Sequence, residues 1–266
     1  MSRPVRWTHA FVDRPATRFD RAGAFWAAVT DTRLSGFRGE REEFVTLLPD
    51  GADACVKLQG AADGDGGAHL DFAVEDVPGF VEEARALGAE PVARHDGWAV
   101  LRSPAGHAFC AVPWLGEAVR PAVVAGSRVD QVCLDVPPSA FEAEIAFWTA
   151  LLPDWPARAG SRPEFHVVEP PAGLPIRILL QRLDDEPAGP GGDGVSGDGA
   201  GAGQVSAHLD LACGADVDAV CARHERLGAR LVARHPHWTV LRDPAGGLYC
   251  LTGRDAETGG LPRTDS

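Results

Sequence analysis

The sequence lacks long apolar runs, an excess of basic charge and paired cysteines. No stretch approaches the roughly 20 apolar residues that a membrane-spanning helix needs, and the amino terminus has no apolar signal-peptide run. A formal net charge of −13 opposes binding to nucleic-acid phosphates or anionic membranes. The six cysteines form no CxxC pair, which excludes a zinc ribbon. We therefore expect a cytoplasmic protein that has neither nucleic acid nor membrane as a partner.

What the chain does contain is a duplication. Short sequence segments of the first half recur in the second half in an unchanged order. They are Ala-His-Leu-Asp at 68–71 and 207–210, Leu-Gly-Ala at 87–89 and 227–229, and the segment Trp98 to Cys110, which matches Trp238 to Cys250. The last piece keeps a constant spacing of 140 residues. Such self-similarity is typical of tandem structural units. We predict two copies of one small α+β domain.

The earlier part of each copy matches at a different spacing, because Phe25 and Trp26 meet Phe147 and Trp148 122 residues later. The extra residues of the second copy must lie between its two matched halves, where the Gly/Asp/Pro-rich run 184–204 is found. That composition favours a mobile loop, and a lid over the pocket is the functional alternative. The predicted divisions are domain 1 at 1–115, a linker at 116–128, domain 2 at 129–254 and a tail at 255–266.

Within each copy the hydrophobic pattern changes between strand and helix periods. Val5 to Val12 alternates like a strand, and Asp20 is placed to cap the helix that follows. Asp76 is placed to cap the next helix, and short strands follow each helix. In the second copy Ser139 and Glu142 have the spacing of a capping box. Each copy is therefore predicted to contain two βαβββ modules.

This pattern resembles the glyoxalase/bleomycin-resistance/dioxygenase, or vicinal oxygen chelate, superfamily. The resemblance rests on His-Leu-Asp, Leu-Gly-Ala and Arg-Ser/Asp-Pro-Ala-Gly text, present twice, and covers the chain except for the loop, linker and tail. It implies an α+β fold in which each glyoxalase-like domain pairs βαβββ modules into a half-barrel sheet flanked by helices, with the site on the concave face. Modules can pair within or across copies, as a monomer with intramolecular domain pairing or as a homodimer.

In metal-dependent members of the superfamily, four strand positions carry the chemistry. The resemblance places these positions at His9, Gln59, His69 and Cys110 in the first copy, and at Gln131, Gln181, His208 and Cys250 in the second. Metal-dependent relatives usually have a carboxylate at the last position, where both copies have cysteine, so an anionic oxygen ligand is lost. A small buried core residue also accounts for either cysteine. We expect no cofactor, and the alternative is a divalent metal (Zn, Ni, Mn or Fe) on His9, Gln59, His69 and Cys110.

Strand alternation adds a carboxylate to each pocket. Residues two apart share a face, so Asp71 lies beside His69 and Asp210 beside His208. A carboxylate can hold an imidazole in one tautomer for acid–base work, or the pair can be purely structural. Lys57 is either an anchor for an anionic group or a surface lysine. The candidate catalytic residues are His69, Asp71 and His9, and the other pocket candidates are Gln59, Lys57, Cys110, Gln131, Gln181, His208, Asp210 and Cys250.

Two functions follow from these residues. The first is metal-free binding of a small metabolite or drug in the concave pockets, as in bleomycin-resistance proteins. The alternative is a metal-dependent lyase, isomerase or dioxygenase of glyoxalase type, acting on a substrate with vicinal oxygens. The cysteines at the last position favour the first, and the polar pockets argue against a purely structural or regulatory interaction protein. We expect the first copy to be the more active, because its His9 is matched by Gln131 in the second copy, and only a histidine offers both metal ligation and acid–base work.

Overall fold

The structure is a computed structural model that describes residues 4–62, 66–184 and 205–261. The run 184–204, predicted to be a mobile loop or a lid, lies outside the described residues except for Asp184, and so does the end of the predicted tail from residue 262. In the described part of the chain, no helix is both long and apolar enough to cross a bilayer.

The first copy forms one eight-stranded mixed sheet with two α-helices. Its elements are β1 (Val5–Pro15), α1 (Phe19–Thr30), β2 (Arg33–Leu34), β3 (Phe44–Leu48), β4 (Val56–Ala61), β5 (Gly67–Val74), α2 (Val77–Ala86), β6 (Glu90–Arg94), β7 (Ala99–Arg102) and β8 (Ala108–Pro113). The strand order is β2-β3-β4-β1-β5-β8-β7-β6. Strands β5 and β8 are parallel, and β7 is antiparallel to both β6 and β8.

The second copy repeats this arrangement. Its elements are β9 (Arg128–Val136), α3 (Phe141–Leu151), β10 (Ala157–Ala159), β11 (Phe165–Val168), β12 (Arg177–Arg182), β13 (Ser206–Ala212), α4 (Val217–Arg226), β14 (Arg230–Arg234), β15 (Trp238–Arg242) and β16 (Leu248–Thr252). The order β10-β11-β12-β9-β13-β16-β15-β14 is that of the first sheet. The predicted α+β fold of paired βαβββ modules is therefore confirmed, and each sheet is drawn from one copy.

Spatial contacts divide the chain differently, into two compact units that each draw on both copies. Unit A consists of Met1–Ala10, Ala68–Ala118 and Val132–Ala207, and unit B of Phe11–Gly67, Val119–Gln131 and His208–Ser266. Unit A therefore contains the second module of the first copy and most of the first module of the second copy. Unit B contains most of the first module of the first copy and the second module of the second copy. The units explain why apolar helix faces of one copy pack against strands of the other.

The core of unit A is aromatic. Trp148 of α3 packs against Phe72 of β5 and Phe109 of β8, with ring centroids 5.7 and 5.1 Å apart. Phe147 meets Trp148 edge-on at 5.0 Å. All four rings are buried, and rings in this geometry stabilise a core beyond the area that they remove from water. A helix of the second copy thus covers strands of the first copy within this unit.

Unit B has the corresponding core with the copies exchanged. Phe25 and Trp26 of α1 pack on Tyr249 of β16 at centroid distances of 5.9 and 5.2 Å. His224 of α4 completes the cluster, and its Nδ1 lies 3.0 Å from the Tyr249 hydroxyl. Burial lowers the pKa of His224 to about 4, so this imidazole is neutral in the folded protein at neutral pH.

Each unit also contains one buried carboxylate that ties a helix to a Pro-Ala-Gly turn. In unit A, Glu144 of α3 accepts hydrogen bonds from Trp148 Nε1 at 2.8 Å and from the Ala105 amide at 2.9 Å. Burial raises the pKa of Glu144, and the donors around it act in the opposite direction. The charge costs less to bury because its oxygens are hydrogen-bonded.

In unit B the carboxylate belongs to the turn itself. Asp243 accepts hydrogen bonds from Trp26 Nε1 at 3.1 Å and from the amides of Ala245 and Gly247 at 2.9 and 3.1 Å. Arg14 Nε donates to the same carboxylate at 2.7 Å, and both side chains are almost completely buried. The repeated turn has serine in the first copy and aspartate in the second. The carboxylate that binds the turn therefore comes from the helix residue Glu144 in unit A and from the turn residue Asp243 in unit B.

Of the predicted helix caps, Asp76 is confirmed, because its carboxylate accepts a hydrogen bond from the Gly79 amide at 3.0 Å. The capping box of Ser139 and Glu142 is wrong: residues 138–140 form a 3-10 turn, and α3 begins at Phe141 without a side-chain cap. Asp20 is likewise no cap, since it lies inside the first turn of α1. A preceding 3-10 turn moves both helix starts away from the predicted cap residue.

Candidate functional site

The parallel pair β5 and β8 brings three of the predicted residues of the first copy together. Asp71 lies opposite Cys110 in the strand register, and His69 shares the face of Asp71 because it is two residues away. The donor atoms of His69, Asp71 and Cys110 all lie within 4.8 Å of one another. His69 Nε2 is 3.9 Å from Asp71 Oδ1, and all three side chains are largely buried. The site is a nitrogen, oxygen and sulfur cluster in unit A.

His9, the third candidate catalytic residue, lies in the same unit on β1 and faces a carboxylate. Its Nε2 is 3.9 Å from Glu117 Oε1, and the Glu117 side chain is only 17% exposed. The other oxygen of Glu117 accepts a hydrogen bond from the Leu115 amide at 2.9 Å, and Trp114 Nε1 donates to the Glu117 carbonyl at 3.0 Å. The segment after β8 is therefore held so that its carboxylate reaches the histidine.

Glu117 is the functional candidate that the sequence analysis missed, because it lies in the segment predicted to be a linker. A signal was present: Glu257 stands 140 residues later, so the glutamate belongs to the repeated register. In the second copy this residue forms an ion pair with Arg128 instead, at 3.4 Å, and its side chain is 72% exposed. The same position thus serves a histidine in one copy and an arginine in the other.

Gln59 and Lys57 belong to β4 in unit B. In the register they stand opposite Phe44 and Thr46 of β3, so the two polar side chains share one face of the sheet. Lys57 Nζ lies 5.4 Å from the centroid of the Phe11 ring, a cation–π distance. The structure therefore gives Lys57 an aromatic partner on the face predicted to line the pocket. The His69 cluster contains Asp71, which the predicted metal set does not include.

In the second copy, four predicted residues come together in unit B. Gln131 Nε2 donates a short hydrogen bond to Asp210 Oδ2, and His208 Nε2 lies 3.5 Å from Asp210 Oδ1. Asp210 stands opposite Cys250 in the register of β13 and β16. Burial raises the pKa of Asp210, while His208, Arg254 and the Gln131 bond act to lower it. The carboxylate of this site is therefore engaged by an amide of the protein itself.

Gln181, the remaining predicted residue of the second copy, belongs to unit A. It accepts a hydrogen bond from the Cys133 thiol, with 3.6 Å between sulfur and oxygen. In unit B, beside the Asp210 carboxylate, a buried ion pair joins Asp130 to Arg254, with one N–O distance of 2.9 Å. Arg254, predicted to be the last residue of domain 2, is thus fixed to the first strand of its own copy.

The first-copy cluster has a donor set that fits a divalent transition metal. Metal–ligand bonds of about 2.0–2.3 Å place two ligands of one ion no more than about 4.6 Å apart, close to the spacing of the His69, Asp71 and Cys110 donor atoms. Zinc accepts imidazole nitrogen, carboxylate oxygen and thiolate sulfur. The matching carboxylate of the second copy already accepts the Gln131 amide. The first-copy cluster therefore has donor atoms at a spacing compatible with one bound ion.

Comparisons with solved structures show the same fold in enzymes of low sequence identity. A variant of 4-hydroxymandelate synthase from Streptomyces coelicolor has a TM-score of 0.59 at 16% identity, covering 94% of this chain and 93% of that one. For 2,2',3-trihydroxybiphenyl 1,2-dioxygenase from Sphingomonas wittichii the TM-score is 0.58 at 14% identity, over 100% and 97% of the chains. A variant of homoprotocatechuate 2,3-dioxygenase from B. fuscum gives 0.63 at 13%, over 97% and 74%.

Among curated proteins, none matches this chain. The family model described as "Glyoxalase-like domain" matches it twice, at residues 9–112 and 131–252, which together make up most of its length. The two matched ranges contain the His-Leu-Asp strand and the final cysteine strand of each copy. The resemblance to the superfamily is thereby confirmed, and the chain belongs to the glyoxalase-like domain family.

Proposed function

We propose that the first-copy site binds a divalent transition-metal ion and that the chain is a glyoxalase-type enzyme acting on a small substrate with two adjacent oxygen atoms. The observation that carries the proposal is the convergence of His69, Asp71 and Cys110, whose donor atoms lie within 4.8 Å of one another. A buried cluster of imidazole, carboxylate and thiol on two adjacent strands suits an ion better than an apolar ligand.

His69, Asp71 and Cys110 would hold the ion, which would supply Lewis-acid polarisation of the substrate oxygens. His9 and Glu117 form a second polar pair in the same unit, with 3.9 Å between imidazole and carboxylate. Such a pair can take a proton at His9 Nε2 and return it, which is the work of a general base and acid. The largely buried side chains exclude water from both groups.

The names of the structural neighbours suggest where to look for activity. Two of them are named as dioxygenases, of 2,2',3-trihydroxybiphenyl and of homoprotocatechuate, and one as a 4-hydroxymandelate synthase. At 13–16% identity these neighbours establish the fold alone. Catechol-type and 2-oxo or 2-hydroxy acid substrates are therefore the first to be assayed, with oxygen uptake separating a dioxygenase from a lyase or isomerase.

The decisive experiment measures metal content in protein purified without a chelator. We expect close to one equivalent per chain in the wild type and in His208→Ala, the matched change in the second copy. We expect loss of that metal in His69→Ala and in the isosteric Asp71→Asn, with unchanged circular dichroism. Wild-type protein that contains no metal and takes up neither Zn, Ni, Mn nor Fe would contradict the proposal, and so would full occupancy in both first-copy variants.

For the second copy we propose metal-free binding of a small polar molecule. The specific observation is the hydrogen bond from Gln131 to the Asp210 carboxylate, which gives one oxygen of the buried acid a neutral donor. A ligand that offers both a donor and an acceptor could exchange with this amide. A thermal-shift screen of metabolites in the His69→Ala background tests it: the expected hits disappear in Asp210→Asn. Hits that persist in Asp210→Asn would contradict this assignment.

We also propose a cytoplasmic location. All six cysteines are free thiols and buried in the fold. Free thiols are the usual state in a compartment kept reducing by glutathione and thioredoxin. Fractionation of cells that express the tagged chain tests this assignment.

A further inference from the structure

Unit B contains a pocket on the opposite face of the sheet from the polar residues of β3 and β4. It encloses about 430 Å³ of space between atoms, part of which is open to solvent. Leu47 and Val56 line it, whereas Thr46 and Lys57 lie on the other face because successive strand residues alternate. The pocket is therefore separate from the pocket residues predicted on that strand pair.

The walls of this pocket are mostly apolar. They come from the end of α1, from β3 and β4, and from the segment that enters β9; the principal apolar residues are Val29, Leu47, Val56, Val124, Val129 and Leu211. The described residues that line it include no acidic side chain. The Cys55 thiol also lines the pocket, and burial raises its pKa to about 12, so it adds no negative charge. An apolar body fits these walls.

Arg128 is the one cation among the described residues that line the pocket. Its side chain is only 7% exposed, and its Nε is buried without a hydrogen-bond partner among the described residues. Its Nη1 makes only long contacts, 3.4 Å to the Pro121 carbonyl and 3.4 Å to Glu257 Oε2. Its Nη2 donates to the Glu257 carbonyl. The Glu257 carboxylate is mostly in water, so it neutralises the guanidinium weakly.

A second arginine strengthens the positive potential. Arg120 lies close enough that its charge, together with burial, lowers the pKa of Arg128. The Nε of Arg120 is also buried without a hydrogen-bond partner among the described residues. The Arg128 guanidinium in the wall of an apolar pocket, with a second guanidinium near it, is complementary to an anionic group, and a carboxylate matches the planar donor pattern of arginine.

We infer that this pocket binds a small monocarboxylate with an apolar body, its carboxylate on Arg128 and its body against Leu47, Val56 and Leu211. An aliphatic or aromatic acid such as hexanoate or benzoate combines the two chemical features of the pocket, an apolar wall and a guanidinium. The inference is independent of the proposed metal site.

Calorimetric titration of the full chain with hexanoate tests the inference, with hexanol and hexylammonium as matched probes of the same length. We perform it in the presence of EDTA and in His69→Ala, so that a carboxylate bound to a metal is not counted. Saturable binding of hexanoate, at least about tenfold tighter than that of hexanol, is expected from a charge-assisted contact. Hexylammonium is expected not to bind. Equal affinities for all three probes, or no binding of hexanoate, would overturn the inference.

Four variants, two of them controls, locate the site. Ala122→Trp places a large ring at the exposed rim of the pocket and is expected to abolish binding, whereas Val119→Trp, an exposed change in the same segment outside the lining, is its control. Arg128→Gln is expected to reduce hexanoate affinity to that of hexanol. Glu257→Gln breaks the same ion pair but keeps the guanidinium, and is expected to bind as well as the wild type or better. Wild-type binding by Ala122→Trp would refute this location.

Discussion

Two buried histidines make the folded state sensitive to acid, and the size of the effect can be worked out from the structure. Burial lowers the pKa of His107 and of His224 from 6.5 to about 4. Between these pKa values the unfolded chain binds more protons than the folded chain, so the free energy of unfolding falls as pH drops from about 6.5 towards 4. At pH 5 each histidine removes about 2 kcal/mol of unfolding free energy relative to pH 7.5.

Urea unfolding at pH 7.5 and pH 5.0 measures this loss in the wild type, His107→Asn and His224→Asn. Asparagine keeps a polar group near the Nδ1 position but does not titrate. Each variant is expected to lose about 2 kcal/mol less than the wild type between the two pH values. Comparison between variants cancels the opposite contribution of the buried acids. His237→Asn, at an exposed histidine, is the control. A wild-type pH dependence in both buried-site variants would refute the reasoning.

Three further predictions follow from particular contacts. Asp243→Asn leaves Arg14 buried without its anion and is expected to cost about 3–5 kcal/mol in urea unfolding, more than Glu144→Gln, whose donors are neutral and which costs about 1–3 kcal/mol. Asp76→Ala removes the cap of α2 and is expected to cost about 1 kcal/mol by the same measurement. Gln131→His releases the Asp210 carboxylate and adds an imidazole, so its metal content is expected to rise by one equivalent.

Much of the fold could be predicted because the sequence carries it twice. Alternating strand residues and the constant spacings predict the βαβββ modules, and the structure orders the two sheets identically. The grouping of His69 with Asp71 follows from strand alternation alone. The packing of each helix against strands of the other copy could not be predicted. The apolar spacing around Trp26 and Trp148 shows which helix face is buried but not which copy covers it.

The parts of the candidate site that sequence reasoning missed depend on irregular segments. Glu117 reaches His9 from a stretch without helix or strand, where periodicity carries no information. Ser139 is not a cap because a 3-10 turn precedes α3. The capping-box sequence is the same whether the α-helix begins after Ser139 or only after such a turn. Arg14 lies in a strand whose alternation pattern gives no sign that it is buried. Its burial depends on the ion pair with Asp243, which is distant in sequence.

The two copies differ at the first strand and just after the last one, and these two differences are coordinated. Arg6 of the first copy is partly exposed and lies 5.0 Å over the Trp114 ring. The second copy has Arg128 and Arg254 at these two positions of the repeat. Two arginines cannot stack in this way without repulsion, so Arg254 binds Asp130 while Arg128 turns to Glu257 and the pocket. That rearrangement makes a guanidinium part of the pocket wall, so the carboxylate site is expected in unit B and not in the corresponding part of unit A.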